Sequence, residues 1–320
     1  MTRAFDKGLH EISDGVWAYL QPDGSWGWSN AGLVAGERTS LLVDTLFDKR
    51  LTREMLDAMS PVTVARPIRA LVNTHGNGDH CYGNELVPED AEIYASVEAT
   101  HEIGELTPAE FHRLMHTGLG PDGDWFKQLA FGAFRFDDIR LRLPTTTFSG
   151  RLSLRVDDRA VELVEVGPAH SGGDVIVRLP DDGIVFTGDI LFIDGTPLMW
   201  IGPMRNMLAA CDAIIGCGAE TLVPGHGPLT GDAGVETVKR YFQYVSDEAR
   251  KRFAAGMGSV DAAFDIDLGE FAGWKDAERV VVNVDALYRE WDTSLPPLDP
   301  VEMFRQMGRY RRSRRTGSNG

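Results

Sequence analysis

The chain has 320 residues, 43% apolar and 9% aromatic, enough to bury a full core in one large domain or two small ones. Lys+Arg 32 against Asp+Glu 48 leaves a net charge of −16, and six of those cations crowd between Arg305 and Arg315, so an acidic body remains that repels nucleic acid. The sequence lacks an apolar run of roughly eighteen residues, and its opening MTRAFDKGLHEIS has no signal-peptide core; the expectation is a cytoplasmic protein without a membrane partner.

Three cysteines, Cys81, Cys211 and Cys217, are an odd number without metal-ligand spacing, and reduced thiols are expected. From Val16 to Asp44 the apolar runs VWAYL, AGLVA and SLLVD alternate with Gly-containing turns, which predicts an antiparallel meander. DKRLTREMLDAMS then sets Leu51, Met55, Leu56 and Met59 at helical spacing, and IRALVNT reads as a buried strand feeding a Gly-rich loop. Over 96–130, SVEATHEIGEL and TPAEFHRLMHTGL read as short helices, the second N-capped by Thr107 ahead of Pro108 and Glu110, followed by a Gly/Pro/Trp-rich link.

Strand patterns resume at RLSLRV, AVELVEV, DVIVRL and GIVFTGD, followed by the helical NMLAACDAIIGCG and the strand TLVPGHG. Beyond Gly231, VETVKRYFQYVSDEARKRFAAGM and DAERVVVNVDALYREW are amphipathic helical patterns with no strand between them. The expected organisation is an α/β domain over 1–232, an αββα sandwich with a pocket-lining insertion at about 96–135. A helical extension over 233–311 and a disordered basic tail over 312–320 complete it. The stripe Val280, Val284, Leu287 offers either packing against the sandwich or a homodimer face.

The chemistry concentrates in Thr74-His75-Gly76-Asn77-Gly78-Asp79-His80-Cys81, where metal-capable side chains recur at 75, 77, 79 and 80 on a loop after a buried strand. A borderline cation such as Zn²⁺ takes imidazole and carboxylate ligands at about 2.0–2.2 Å, from separate chain segments. Such segments follow: His170 in VGPAHSGGD, Asp189 in VFTGDILF and His226 in LVPGHGP each close a strand-like run beside glycine.

The ordered set His75, Asn77, Asp79, His80, then His170, Asp189 and His226, resembles the metallo-β-lactamase fold superfamily, whose signature is HxHxDH followed by His, Asp and His. The resemblance runs over roughly residues 10–232 and includes Asn30-Ala-Gly-Leu-Val and Leu41-Leu-Val-Asp44-Thr45, whose aspartate in the family braces the metal loop. It implies an αββα fold and two metal sites, the second built from Asp79, His80, His226 and the shared Asp189. The first departs from the pattern, because Asn77 stands where the family has its second histidine, leaving His75 and His170 as strong ligands.

An amide oxygen is a weaker zinc donor than imidazole, so the expectation is one tightly held zinc, or two of unequal affinity. Alternatively, Asn77 hydrogen-bonds the loop backbone and touches no metal. Metal-bound water with a pKa lowered to about 7 would attack an activated carbonyl, with Asp79 or Asp189 orienting it and taking its proton.

Cys81 has no context that would lower its pKa and reads as packing. His112 and His116 share a helical face without the HExxH glutamate and are assigned to the insertion. Trp26, Trp28, Trp125, Phe126, Phe131, Phe134, Phe136 and Trp200 fall in loop-like segments and offer an apolar pocket or plain core.

The expected function is therefore zinc-dependent hydrolysis of a small-molecule thioester or lactone; the C-terminal helices resemble those of glyoxalase-II-like hydrolases. A β-lactam is a lesser expectation, since antibiotic-degrading relatives usually lack such an extension. Two alternatives stand beside it. THGNGDHCYGN also resembles lactamase-like cyclases of aromatic polyketides, in which the metal would hold an enolate, and a non-catalytic metal-binding protein is the other.

Overall fold

The computed structural model describes residues 4–317. Seven strands form the first sheet in chain order: β1 (Gly8–Ser13), β2 (Val16–Leu20), β3 (Ala31–Ala35), β4 (Ser40–Val43), β5 (Ile68–Val72), β6 (Glu92–Ser96) and β7 (Thr146–Phe148). The meander β1 to β4 is antiparallel, with tight turns after β1 and β3 and a longer loop over 21–30 after β2, and β4 to β7 run parallel because a crossover separates each pair. The crossovers carry α1 (Lys49–Thr63), the single turn α2 (Gly78–Cys81), and α3 (Val97–Glu105), α4 (Pro108–His116) and α5 (Gly120–Phe131).

The second sheet has the order β12-β11-β10-β9-β8, from β8 (Arg151–Val156), β9 (Arg159–Glu165), β10 (Val175–Leu179), β11 (Ile184–Phe192) and β12 (Thr221–His226), with α6 (Met204–Gly216) between the last two. Its edge strand RLSLRV turns Arg151, Ser153 and Arg155 to solvent, the charged alternation that keeps an edge from pairing further. Four helices follow: α7 (Asp232–Ala254), α8 (Ser259–Asp265), α9 (Val280–Trp291) and α10 (Pro300–Gly317).

The sheets face each other across Val34, Leu41, Val43 and Val72 on one side and Leu163, Val177, Phe186 and Val223 on the other. Gly32 makes the approach possible, because a Cβ there would run into the Phe186 ring. Helices cover both outer faces, giving an αββα sandwich, and α7 to α10 share a core with the sheet residues Leu33, Leu42 and Leu222. The stripe Val280, Val284, Leu287 is fully buried inside the chain.

Several elements depart from the sequence expectation. The Gly/Pro/Trp-rich link is the helix α5: Gly120 and Pro121 fall in its tolerant first turn, while Phe126, Ala130 and Phe131 bury one face. Thr107 is the N-cap of α4 as expected, and the structure adds a capping box with Glu110. Strands β1, β6 and β7 are too short or too polar to announce themselves. Helix α10 runs through Gly317, into residues expected as a disordered tail: Arg312 donates to Asp122 at 2.6 Å and Arg314 to the Ile266 carbonyl at 2.9 Å. Residues 318–320 of that tail lie outside the described residues. Among the described residues no helix is long and apolar enough to cross a membrane.

Candidate metal centre

All seven candidate ligands sit at one end of the sandwich. His75 follows β5, Asp79 and His80 lie on α2, His170 lies in the β9–β10 loop, Asp189 is on β11, and His226 ends β12. These are the carboxyl ends of parallel strands and the loops beside them, where open α/β sheets present ligand sites. Gly225 admits the Asp189 carboxylate, since a Cβ there would collide with its Oδ1.

Each histidine is held from behind through Nδ1. The carbonyls of Gly24 and Leu198 can only accept, so His226 Nδ1 donates to the first at 3.2 Å and His170 Nδ1 to the second at 2.8 Å. His80 Nδ1 donates to Asp44 Oδ2 at 2.9 Å. The Thr74 hydroxyl gives its proton to the same Asp44 oxygen at 2.8 Å, so it accepts from His75 Nδ1 at 3.0 Å. All four rings therefore carry a proton on Nδ1 and turn Nε2 inward, the tautomer of a metal ligand with its outer partner in place.

Inside, the donors converge on Asp189: His80 Nε2 is 3.1 Å from Oδ1, and His170, His226 and His75 Nε2 lie 3.5, 3.5 and 3.7 Å from Oδ2. His226 Nε2 is also 3.3 Å from Asp79 Oδ2. Among the described residues two groups have ligand atoms within 4.8 Å of one another, His75/His80/Asp189 and Asp79/His80/His226.

Three imidazole atoms, Nε2 of His75, His80 and His226, and Asp189 Oδ1 are buried without a hydrogen-bond partner. Each such group costs about 1–3 kcal/mol if left unpaired, and four sharing one spot is the pattern that a bound cation satisfies. The donor set of imidazole and carboxylate fits zinc or a similar divalent ion.

The electrostatics agree. Burial alone would pull His80 down, but Asp189 and Asp44 carry it well above the usual imidazole range, and against the same burial Asp189 and Asp79 raise His226 to about 8. Burial, with the charge of His80 beside it, holds His75 well below that range. Burial pushes Asp189 and Asp79 up, yet the surrounding histidines outweigh it and hold both below the ordinary carboxylate range. The pocket thus stabilises positive charge between two carboxylates.

Asn77 behaves differently from the other six. It occupies the N-cap position of α2 but its side chain makes no capping bond; instead Oδ1 lies 2.8 Å from His170 Nε2. The alternative in which its side chain serves the loop backbone is thus not what the structure contains.

The remaining sequence candidates lie elsewhere. Cys81 is buried, its thiol pushed well above its ordinary pKa by burial, and it donates to the Asn77 carbonyl at 3.3 Å. His112 and His116 line a cavity of about 500 Å³ with Phe134, Phe136, Asp137 and Asp138, and none of the seven candidate ligands lines it. Trp26 packs edge-on to Phe126 and Phe131 and leans on Trp200, whose backbone N–H donates to the His170 carbonyl at 2.9 Å.

Sequence reasoning missed the groups behind this wall. Arg279 lies over both Trp26 and Phe192, and Phe192 stacks on His226 at 4.9 Å and 9°. The carbonyls of Gly24 and Leu198 were also missed, because a backbone acceptor leaves no mark in a side-chain pattern.

Residues 24–226 match the sequence profile described as "Metallo-beta-lactamase superfamily". The 2,4-dinitroanisole O-demethylase subunit alpha of Nocardioides sp. (strain JS1661) is 24% identical over 222 residues, which are 67% of this chain and 54% of that protein. Among solved structures, the stereoselective inverting sec-alkylsulfatase Pisa1 from Pseudomonas sp. has a TM-score of 0.68 at 18% identity, over 92% of this chain and 53% of that one. The metallo-beta-lactamase FIM-1 from Pseudomonas aeruginosa, in its mono-zinc form, has a TM-score of 0.53 at 22% identity, over 74% of this chain and 96% of that one. The chain spans about half the length of the O-demethylase subunit and of the sulfatase, and the structural likenesses carry the fold alone.

Proposed function

Because the chain belongs to the metallo-beta-lactamase superfamily, we propose that it is a metal-dependent hydrolase of a small molecule with an activated carbonyl, a thioester or a lactone. The observation that carries this reading is the set of unpartnered Nε2 atoms on His75, His80 and His226 around the Asp189 carboxylate. Asp79, His80, His226 and Asp189 would hold zinc, with His75 beside them. A bound zinc supplies a Lewis acid for the carbonyl and lowers the pKa of water toward about 7.

The chain's own residues do the rest. Asp79 or Asp189, each kept as a carboxylate by its histidine neighbours, orients the attacking water and accepts its proton. Asp44 and Thr74 fix the rings of His75 and His80, so the ligands need no reorganisation. Trp200, whose backbone N–H donates to the His170 carbonyl, and Trp26 leaning on it would supply an apolar wall for the body of the substrate.

A second reading is hydrolysis of an electron-poor aryl ether, in which water adds and an alcohol leaves. It is supported by the likeness to a subunit named for O-demethylation of 2,4-dinitroanisole and by that aromatic wall. Aldol ring closure of a polyketide-like chain differs from both in consuming no water, so the product mass separates them.

The test is a panel of acyl thioesters, lactones, aryl methyl ethers, alkyl sulfates and polyketide mimics assayed by mass spectrometry. The expected result is hydrolysis of a thioester or lactone, abolished by chelation, restored by zinc and reduced about 10²–10⁴-fold in Asp189→Ala. Turnover confined to the ethers would favour the second reading. A cyclised product without added water, or full activity in Asp189→Ala, would contradict both.

A further inference from the structure

His170 stands apart from the other three histidines of the centre. Their Nε2 atoms are unpartnered, whereas His170 Nε2 meets the Asn77 carboxamide at 2.8 Å. Neither of the two groups of closely spaced ligand atoms includes His170.

The chemistry of the contact follows from the other side of the ring. His170 Nδ1 donates to the Leu198 carbonyl, so a singly protonated ring leaves Nε2 as a bare acceptor. An amide oxygen cannot donate to it, but the same carboxamide turned by 180° presents its NH₂, and the two amide orientations occupy the same volume. If the ring carries two protons, Nε2–H donates to the oxygen instead. In either arrangement the lone pair that a cation would need is already engaged. Asn77 is free for this role because it makes no capping bond on α2.

We infer that Asn77 caps His170, and that the chain therefore holds a single divalent cation, on Asp79, His80, His226 and Asp189, rather than a pair. The inference rests on reading the site as a metal centre. It assigns to Asn77 a positioning role: it fixes an unligated histidine as part of the wall beside Trp200 and closes the half of the centre that a histidine at 77 would open.

The test is zinc per folded chain, measured by plasma mass spectrometry after dialysis against micromolar zinc, for wild type, Asn77→Ala and Asn77→His. The cap predicts one zinc in wild type, at least one in Asn77→Ala because no ligand has been removed, and two in Asn77→His. Two zincs in wild type, a fall below one in Asn77→Ala, or one in Asn77→His would overturn it. No zinc in wild type or Asn77→His, with both folded by circular dichroism, would instead remove the metal-centre reading beneath it.

Should Asn77→His fail to fold, ¹⁵N spectra of the wild-type histidines decide the matter. The cap predicts that zinc shifts Nε2 of His80 and His226 and leaves that of His170 in place. A His170 shift equal to the others would overturn it.

Discussion

At the scale of single residues, the candidate ligands depend on side chains that hold them from behind. Asp44 adopts a left-handed backbone conformation, φ +61°, which an aspartate tolerates better than most residues. From there its two oxygens accept the Thr74 N–H, the Thr74 hydroxyl and His80 Nδ1 at 2.7, 2.8 and 2.9 Å. One buried carboxylate thereby fixes two of the inward-facing rings. This brace was legible, because the resemblance carried over an aspartate at a recognisable strand end. The Asn77 contact was not, since 93 residues separate it from His170 and an asparagine pattern does not say which neighbour it serves.

Asp174 shows the same economy at the β9–β10 loop that carries His170. It accepts from the backbone of Ala169 and Ser171 and from the Ser171 hydroxyl. Burial nevertheless pushes its carboxyl from 3.8 up to about 7. A raised folded-state pKa means that the contribution to stability is fully present below about pH 4 and is lost as the pH rises through about 7. Wild type should therefore lose thermal stability from about pH 5 to about pH 8 relative to Asp174→Asn, which cannot ionise, by on the order of a few kcal/mol. An unchanged difference in Tm across that range would show that Asp174 does not titrate there.

At the scale of elements, the loop after β2 is tied to the C-terminal helices. Arg311 of α10 bridges Asp276 Oδ1 at 2.8 Å and Glu278 Oε1 at 2.7 Å. Those same oxygens accept from the Ser25 hydroxyl and the Trp26 indole N–H at 2.7 and 2.8 Å. Next in sequence is Gly24, whose carbonyl holds His226. Helix α10 therefore supports the candidate ligand His226 through two short links, although no residue of α10 is itself a candidate ligand.

Removing Arg311 leaves Glu278 without its cation and Asp276 with Arg279 alone, at 3.3 Å, and breaking a fully buried pair costs about 3–5 kcal/mol. Arg311 retains 25% exposure, so Arg311→Ala should lower stability by somewhat less, about 2–3 kcal/mol in denaturant titration. It should also weaken zinc retention against a chelator. A loss below about 0.5 kcal/mol with zinc retention unchanged would show that the network does not support the site. The network was invisible in the sequence for a physical reason: Asp276, Glu278 and Arg311 read as solvated charges until the helices fold back over Trp26.

At the scale of the whole molecule, the strands of the sandwich that carry long apolar runs were legible because burial on both faces demands them: β3, β4, β5, β10, β11 and β12 are buried along most of their length. Their ends place His75, Asp189 and His226 together, so the order of motifs along the chain sufficed to foresee one centre. The elements that escaped, α5 and the last residues of α10 among them, belong to amphipathic pieces whose apolar faces have meaning only against each other. Phe126 and Phe131 of α5 meet Phe304 of α10 at 5.9 Å each.

On the proposed reading the fold gathers one cation between Asp79, His80, His226 and Asp189. The decisive measurement is a zinc-edge anomalous difference map from crystals of protein purified without chelator. One peak is predicted, about 2.0–2.2 Å from a donor atom of each of those four residues, with the Asn77–His170 contact intact. A peak bonded to Asn77 and His170, or no peak at this end of the sandwich, would contradict it.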